Sequence, residues 1–137
     1  MRHFSSILLL CFWLSGCSTT PLDVVIRGQL LFESSSEPVA DHAVLISELR
    51  SARSAGGTGI LDYFLGTFVG IAETQSDESG QFEIRVAVRS AIGVGYRICN
   101  FDFGALYVIE REEYRRQPEQ WVILRIPEDL DCNRNEE

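Results

Sequence analysis

The segment QFEIRVAVR, residues 81–89, has the most regular pattern in the chain and decides its fold class. Apolar side chains alternate along it with mostly charged ones. One row holds Phe82, Ile84, Val86 and Val88, and the other holds Glu83, Arg85, Ala87 and Arg89. Successive side chains of a β-strand point to opposite faces of its sheet. The alternation therefore predicts a strand in a sheet that has one face packed on the core and the other exposed to solvent.

Segments on both sides of this strand carry related signals. Residues that favour extended structure predict further strands over 24–32, 39–49, 67–74, 96–103, 105–110 and 121–126. Turns rich in Ser, Asp, Gly and Pro separate several of them, with one at 33–38 and one at 76–80. The charged residues 111–120 form either a loop or a short helix. The whole pattern predicts an all-β fold, an antiparallel β-sandwich of seven strands.

The N-terminal residues have the order of a secretory signal. Arg2 precedes an apolar run over 4–13, which is well short of the ~20 residues that span a bilayer, and small residues lead to Cys17. Residues 14–17, LSGC, resemble the lipobox of bacterial lipoproteins. This resemblance implies cleavage before Cys17 and attachment of lipid to its thiol. An ordinary secretory signal and an uncleaved helix are the alternatives.

This interpretation divides the chain into four parts. They are a cleaved lipoprotein signal peptide over 1–16, a lipidated tether over 17–23, a β-sandwich domain over 24–132 and an acidic tail over 133–137. Residue 18 is Ser rather than Asp, which by resemblance to lipoprotein sorting signals implies the outer membrane of a diderm bacterium. We therefore expect a lipid-anchored domain that faces the periplasm.

The charge of the chain argues against one class of partner. Its formal net charge is −8, and it contains no lysine. Nucleic acids and anionic surfaces both bind proteins through basic patches, so the sequence predicts neither as a partner.

The cysteines fit an oxidising compartment. Of the four, Cys11 leaves with the signal peptide and Cys17 takes the lipid, so Cys99 and Cys132 remain. They can pair in only one way, and we predict a disulfide between them. Two unrelated thiols are the alternative.

Two further segments resemble a known family of domains. VIRG at 25–28, followed by EPVADHAVL at 37–45, looks like the opening of carboxypeptidase regulatory-like and transthyretin-like domains. Thr74 and SDESGQF at 76–82 look like the family's second hallmark, a hairpin. The resemblance implies a transthyretin-like (Ig-like) sandwich and a noncatalytic accessory role. His42 stands where the family usually has Gly, and the insert over 50–66 is longer than its usual connection.

Few side chains suit catalysis or metal binding. His42 is the only histidine that remains after cleavage, which excludes a metal site built on two imidazoles. A catalytic triad would have to use His42, and an ordinary structural position is the simpler interpretation. We predict no catalytic residue, no metal and no cofactor.

An apolar stretch that begins inside this insert is the most distinctive candidate for binding. Tyr63, Phe64, Leu65 and Phe68 contact a partner if they are exposed, and form part of the core if they are not. The sequence thus predicts a noncatalytic membrane-anchored lipoprotein that binds or scaffolds another envelope protein. One alternative is a glycan-binding or peptidoglycan-binding module with aromatic platforms, and another is a hydrolase using His42. No small-molecule ligand is indicated.

Overall fold

Seven strands form two sheets in the part of the chain that the computed structural model describes, residues 20–50 and 66–128. The elements are β1 (Leu22–Phe32), β2 (Ala43–Arg50), β3 (Thr67–Gln75), β4 (Gln81–Val88), β5 (Ile92–Ile98), β6 (Phe101–Ile109), helix α1 (Arg111–Arg116) and β7 (Glu119–Ile126). One sheet has the strand order β4-β1-β7 and the other β3-β2-β5-β6. The two sheets enclose a common core, so the prediction of an all-β sandwich is confirmed.

The core consists of alternate side chains from both sheets. Val24, Ile26 and Leu30 of β1 are fully buried, as are Val44 and Ile46 of β2. Each such side chain stabilises the fold by about 1.5–3 kcal/mol relative to an exposed position. In β4 the predicted inward row is buried, apart from Ile84, which is partly exposed. The alternation in the sequence therefore assigned the faces of β4 correctly.

Strand β2 is buried on both faces from Val44 to Glu48, and it begins at Ala43 rather than at residue 39 as predicted. The preceding loop cannot join the ladder, because Asp41 has a φ of 54°. The buried hydroxyl of Ser76 holds this loop in place. It donates to the carbonyl of Val39 over 2.6 Å and accepts the backbone N–H of His42 over 3.1 Å.

The prediction of a purely antiparallel sandwich is wrong at one ladder. Strand β7 runs parallel to β1, from Val25 beside Glu119 to Phe32 beside Ile126. The other ladders are antiparallel. The chain reaches β7 from the opposite sheet through α1, so no hairpin forces β7 to run against β1. Parallel neighbours require a long connection, and almost the whole domain separates these two strands.

The boundary between β5 and β6 also differs from the prediction. We expected a break at Gly104, but Gly104 lies inside β6, and the turn is at Cys99 and Asn100. Cys99 has a φ of 54°, which reverses the chain there. Glycine is only one route to a left-handed residue, and here a cysteine takes that conformation.

The turn at residues 76–80 forms as predicted. One side-chain oxygen of Asp77 accepts the backbone N–H groups of Ser79 and Gln81, each over 2.9 Å. Gly80 has a φ of 72°, and a Cβ there would lie 2.5 Å from the carbonyl oxygen of Leu30. The turn joins strands of different sheets, so the expected hairpin hallmark is a corner between β3 and β4.

Helix α1 covers one end of the sandwich. Its Tyr114 is almost fully buried and donates a hydrogen bond to the carbonyl of Ser90 over 2.8 Å. Burial raises the pKa of this phenol. Among the residues described, no helix has the length and apolar character needed to cross a membrane.

Candidate functional site

Strand β6 exposes more large apolar side chains than any other element described. Between 40% and 62% of the surface of each remains accessible in Phe101, Phe103, Leu106, Tyr107 and Val108. Charge is scarce along the strand, since Asp102 is its only charged residue. Contiguous apolar surface of this kind usually marks a site of interaction.

The position of β6 in its sheet adds backbone to this surface. Strand β6 pairs with β5 on one side, and within the described residues no strand lies on its other side. Proteins commonly protect such free edges with charges, prolines or short strands. This edge is nine residues long and contains neither Lys nor Pro. Within the described residues, its outward backbone groups pair with no strand.

Exposed side chains lie on both faces of β6. Cross-strand partners share a face, so Phe103 and Tyr107 lie on the same side as their buried partners Tyr96 and Val94. The rings of Tyr96 and Phe103 are in contact, with centroids 6.1 Å apart. Val108 pairs with Gly93 and belongs to the outer face. A partner at this edge would therefore meet apolar side chains above and below its backbone.

A bulge shapes the middle of the strand. Val94 pairs with Tyr107 and Tyr96 with Phe103, so three residues of β6 lie opposite Gly95 alone. A Cβ on Gly95 would lie 1.5 Å from the carbonyl oxygen of Phe103. Only glycine leaves room for this close approach. Bulges bend the strand that contains them, and they re-aim its side chains.

The hydroxyl of Ser47 supports the bulge from strand β2, which lies beyond β5 in the same sheet. Ser47 is 3% exposed, and its Oγ donates to the carbonyl of Gly104 over 2.7 Å. The carbonyl of Gly93 lies 3.3 Å from the same oxygen. This contact holds the bent part of β6 against the outer face of the sheet.

A groove of about 440 Å³ runs across the same outer face of the sheet. Its lining includes Leu45, Phe68, Glu73, Arg97, Asp102 and Gly104. Phe68 is half-buried in β3, at the edge of the sheet opposite β6. Of the four predicted contact residues, Phe68 is therefore placed on the lining of this groove, at the sheet edge far from the exposed side chains of β6. Tyr63, Phe64 and Leu65 lie outside the described residues.

Arg97 organises the polar end of the groove. Its guanidinium bonds the carboxylate of Asp102 at 2.7 Å and both oxygens of Glu73 at 3.1 Å. The hydrogen bond that Arg97 donates to Asp102 is the main reason that the pKa of Arg97 is raised, and the bond to Glu73 raises it further. Two carboxylates share one guanidinium, so this end of the groove keeps one negative charge that a basic partner group could neutralise.

A second exposed surface lies on the outer face of the three-stranded sheet. Trp121 and Ile123 of β7 are each about half exposed. Arg27, the neighbour of Trp121 on β1, bonds Glu83 at 2.6 Å and Glu119 at 3.3 Å. The pKa of Arg27 is raised, chiefly by the hydrogen bond to Glu83. A depression of about 300 Å³ lies beside these side chains.

His42 is held by structural contacts. Its Nε2 lies 2.5 Å from the carbonyl oxygen of Arg97, and its ring meets Tyr96 edge-on at 6.4 Å. Ser76 contacts the backbone of His42 and not its ring. In residues 20–50 and 66–128, no hydrogen bond joins the imidazole of His42 to a hydroxyl or a carboxylate. The same residues contain no cluster of His, Cys, Asp or Glu side chains that could hold a metal ion.

The predicted modification sites fall mostly outside the described residues. Cys17, Cys132 and the tail 133–137 lie there. Cys99 is disulfide-bonded at the turn between β5 and β6, and its pairing with Cys132 stays a prediction.

The sequence does not single out β6 as a candidate site, because Gly104 resembles a break between two shorter strands. The segment FDFGALYVI, residues 101–109, carries the one signal for this site: it is apolar on both faces of a strand, and it also contains Asp102. Apolar residues on both faces predict a strand buried in the centre of a sheet. That this strand lies at an edge cannot be deduced from the sequence.

Comparisons with known proteins do not assign a family. No family model matches the chain, and no curated protein matches it. Solved structures are similar to it only in part. A 9R-lipoxygenase from Cyanothece PCC8801 is 17% identical over 77% of this chain and 16% of its own, with a TM-score of 0.44. A shaft pilin, SpaA, from Lactobacillus rhamnosus GG is 10% identical over 78% of this chain and 52% of its own, with a TM-score of 0.41.

A third solved structure, 3-chlorocatechol 1,2-dioxygenase from Rhodococcus opacus 1CP, is 18% identical over 56% of this chain and 29% of its own, with a TM-score of 0.34. The chain therefore spans between 16% and 52% of the length of these three proteins.

Proposed function

We propose that this chain is a noncatalytic, lipid-anchored protein of the bacterial envelope that holds a protein partner along strand β6. The single observation that carries the binding role is the free edge of β6, which exposes five large apolar side chains and has no neighbouring strand in the described part of the chain. The anchor follows from the lipobox-like residues 14–17. The domain is transthyretin-like in this proposal, and it faces the periplasm from the outer membrane.

Strand addition is the mode of binding that fits this edge. An extended peptide that adds to an edge gains affinity from main-chain hydrogen bonds and specificity from alternate side chains. Phe103 and Tyr107 would contact one face of the added strand, and Val108 the other. The groove lined by Phe68 offers room for a further side chain, and the excess carboxylate near Arg97 favours a basic residue in the partner.

The contacts of His42 make a hydrolase the weaker proposal. A general base needs a free ring nitrogen within reach of a nucleophile. One nitrogen of His42 faces the carbonyl of Arg97, and Ser76 bonds the backbone instead of the ring.

Cross-linking in cells tests the anchor and the partner together. With a photoreactive residue at position 108 of the full chain, we expect one protein adduct in the membrane fraction, and the same residue at position 85 should give none. The variant Cys17→Ala should leave the membrane fraction and lose the adduct, because the acyl chains that hold the protein there are missing. An unchanged membrane fraction would contradict the anchor, and equal adducts at 85 and 108 would contradict the docking edge.

Glycan binding is the second candidate, and exposed Trp121 favours it. Aromatic rings stack on apolar faces of other groups, and the fixed donors and acceptors of Arg27 and Glu83 lie beside this ring. If this candidate is correct, isolated cell-wall sacculi bind the protein, and Trp121→Ala abolishes sedimentation with them. Ile123→Ala is the matched control, since Ile123 lies two residues away on the same face and a similar fraction of its surface is exposed. Binding that survives Trp121→Ala would contradict the candidate.

A further inference from the structure

We propose that the protein that docks along β6 is a second copy of this chain, with the two β6 strands paired antiparallel about a two-fold axis at Ala105. This inference rests on the proposed function and deepens it, because it names the partner of the same edge. A two-fold interface requires that the same surface patch be complementary to itself. Strand β6 meets this requirement in its side chains, its bulge and its charge.

The side chains of β6 match each other about Ala105. In this pairing Phe103 lies opposite Tyr107 of the second copy, and Asp102 lies opposite Val108. Phe103 and Tyr107 are both on the inner face of their sheet, and both are partly exposed. Aromatic pairs of this kind stabilise antiparallel strands. The two-fold axis repeats each pair, so the dimer contains two aromatic pairs.

The bulge of β6 favours a second copy over an unrelated strand. Its three residues, 104–106, lie opposite Gly95 within the chain, and Ala105 is the middle one. A bulge bends its own strand, so a regular strand added to this edge would lose its register there. A second copy bends at the same point. The two bulges then coincide on the axis, and residues 101–103 can pair with residues 107–109 of the second copy.

The charge of the edge allows two copies to meet, although the chain has a formal net charge of −8. Asp102 is the only charged residue of β6, and it bonds Arg97 of its own chain at 2.7 Å. In the antiparallel pairing the two Asp102 carboxylates lie six residue steps apart, about 20 Å. This separation exceeds the screening length of about 8 Å at physiological salt. No like charges therefore face each other across the axis.

The exposed apolar surface of β6 is sufficient for a weak dimer. Since a fully buried aromatic side chain covers about 150–250 Å², the exposed fractions of the five apolar side chains amount to roughly 400–500 Å² per copy. The paired backbones add to this area, and the total approaches the low end of the range of about 1,200–2,000 Å² for stable interfaces. Attachment of both copies to one membrane raises their effective concentration, which strengthens such a contact.

The anchor determines how this dimer lies on the membrane. Thr20 is at the end of the sandwich where β6 ends, because its carbonyl accepts a hydrogen bond from Arg111. Antiparallel strands place the two Thr20 residues at opposite ends of the dimer. The tether from Cys17 to Thr20 reaches at most about 11 Å. Both tethers therefore reach one membrane when the strands lie along its surface, with the two-fold axis perpendicular to it.

Photo-crosslinking between two differently tagged copies of the full chain in cells tests this inference. The first copy carries a photoreactive aromatic residue at position 107. We expect an adduct of twice the mass of the chain that contains both tags. Fragment mass spectrometry should locate the attachment at Phe103 of the second copy. The same photoreactive residue at position 123, on the other sheet, is the control and should give no such adduct.

Substitutions of Val108 in the second copy test the register. Val108→Lys gives Asp102 of the first copy an opposite charge, Val108→Gln gives it a neutral group, and Val108→Asp gives it a like charge. The adduct yield should fall in this order, by roughly two- to tenfold from the first variant to the last. The same three substitutions at Ile123 change the net charge equally, and they should leave the yield unchanged.

The outcomes separate this inference from the proposed function. An adduct between position 107 and a different protein would overturn the second copy and leave docking on β6 intact. No adduct at position 107 would contradict both. Attachment at Tyr107 of the second copy, or equal yields from the three Val108 variants, would overturn the antiparallel pairing about Ala105.

Discussion

The substitution Gly95→Ala should destabilise the domain by more than about 3 kcal/mol, a large share of the 5–15 kcal/mol that holds a typical domain folded. The added Cβ would lie 1.5 Å from the carbonyl oxygen of Phe103 and 2.6 Å from its carbonyl carbon. Both atoms belong to the backbone, so no side chain can rotate away. Strand β6 would have to move off β5 and lose the bulge that bends it.

Equilibrium unfolding in urea measures this effect, and Gly70→Ala is the matched control. Gly70 lies on the edge strand β3, and a Cβ built on it meets no atom within 4 Å. We expect the control to change the free energy of unfolding by no more than about 0.5 kcal/mol. If Gly95→Ala unfolds at the same urea concentration as the wild type, β6 does not cross Gly95 as described. Equal losses in both variants would show that the effect belongs to glycine in general.

Replacing exposed apolar side chains of β6 by carboxylates should abolish partner binding without destabilising the fold. In the double variant Leu106→Asp, Val108→Asp, two half-exposed apolar side chains become carboxylates. Their burial against an added strand would then cost the desolvation of two charges. Residues that dominate an interface contribute 2 kcal/mol or more each, so we expect the affinity for the protein captured at position 108 to fall at least about 100-fold.

Titration of the captured partner by calorimetry gives these affinities. Ile123→Asp is the control, because Ile123 is 50% exposed on the outer face of the other sheet and the change is chemically the same. Its affinity should match the wild type. Unfolding in urea should give all three proteins the same midpoint within error, since the sites are on the surface. A partner that binds the double variant as tightly as the wild type would contradict docking on β6.

Local signals in the sequence were sufficient for β1, β3, β4 and β7 and for the corner at residues 76–80. Phe82 and Val86 alternate with charged residues, and that alternation is a property of a single strand. Asp77 and Gly80 define their turn through contacts within a few residues. These features need no knowledge of the rest of the chain, so the sequence by itself determined them, together with the all-β class.

Long-range pairing decided the rest. The parallel ladder between β1 and β7, the bulge opposite Gly95 and the free edge of β6 depend on which strands become neighbours. The apolar pattern of segment 101–109 is compatible with a strand in the centre of a sheet and with one at its edge. Burial follows from neighbours that are distant in sequence, so only the tertiary structure placed Phe68 beside a groove and left the aromatic side chains of β6 exposed.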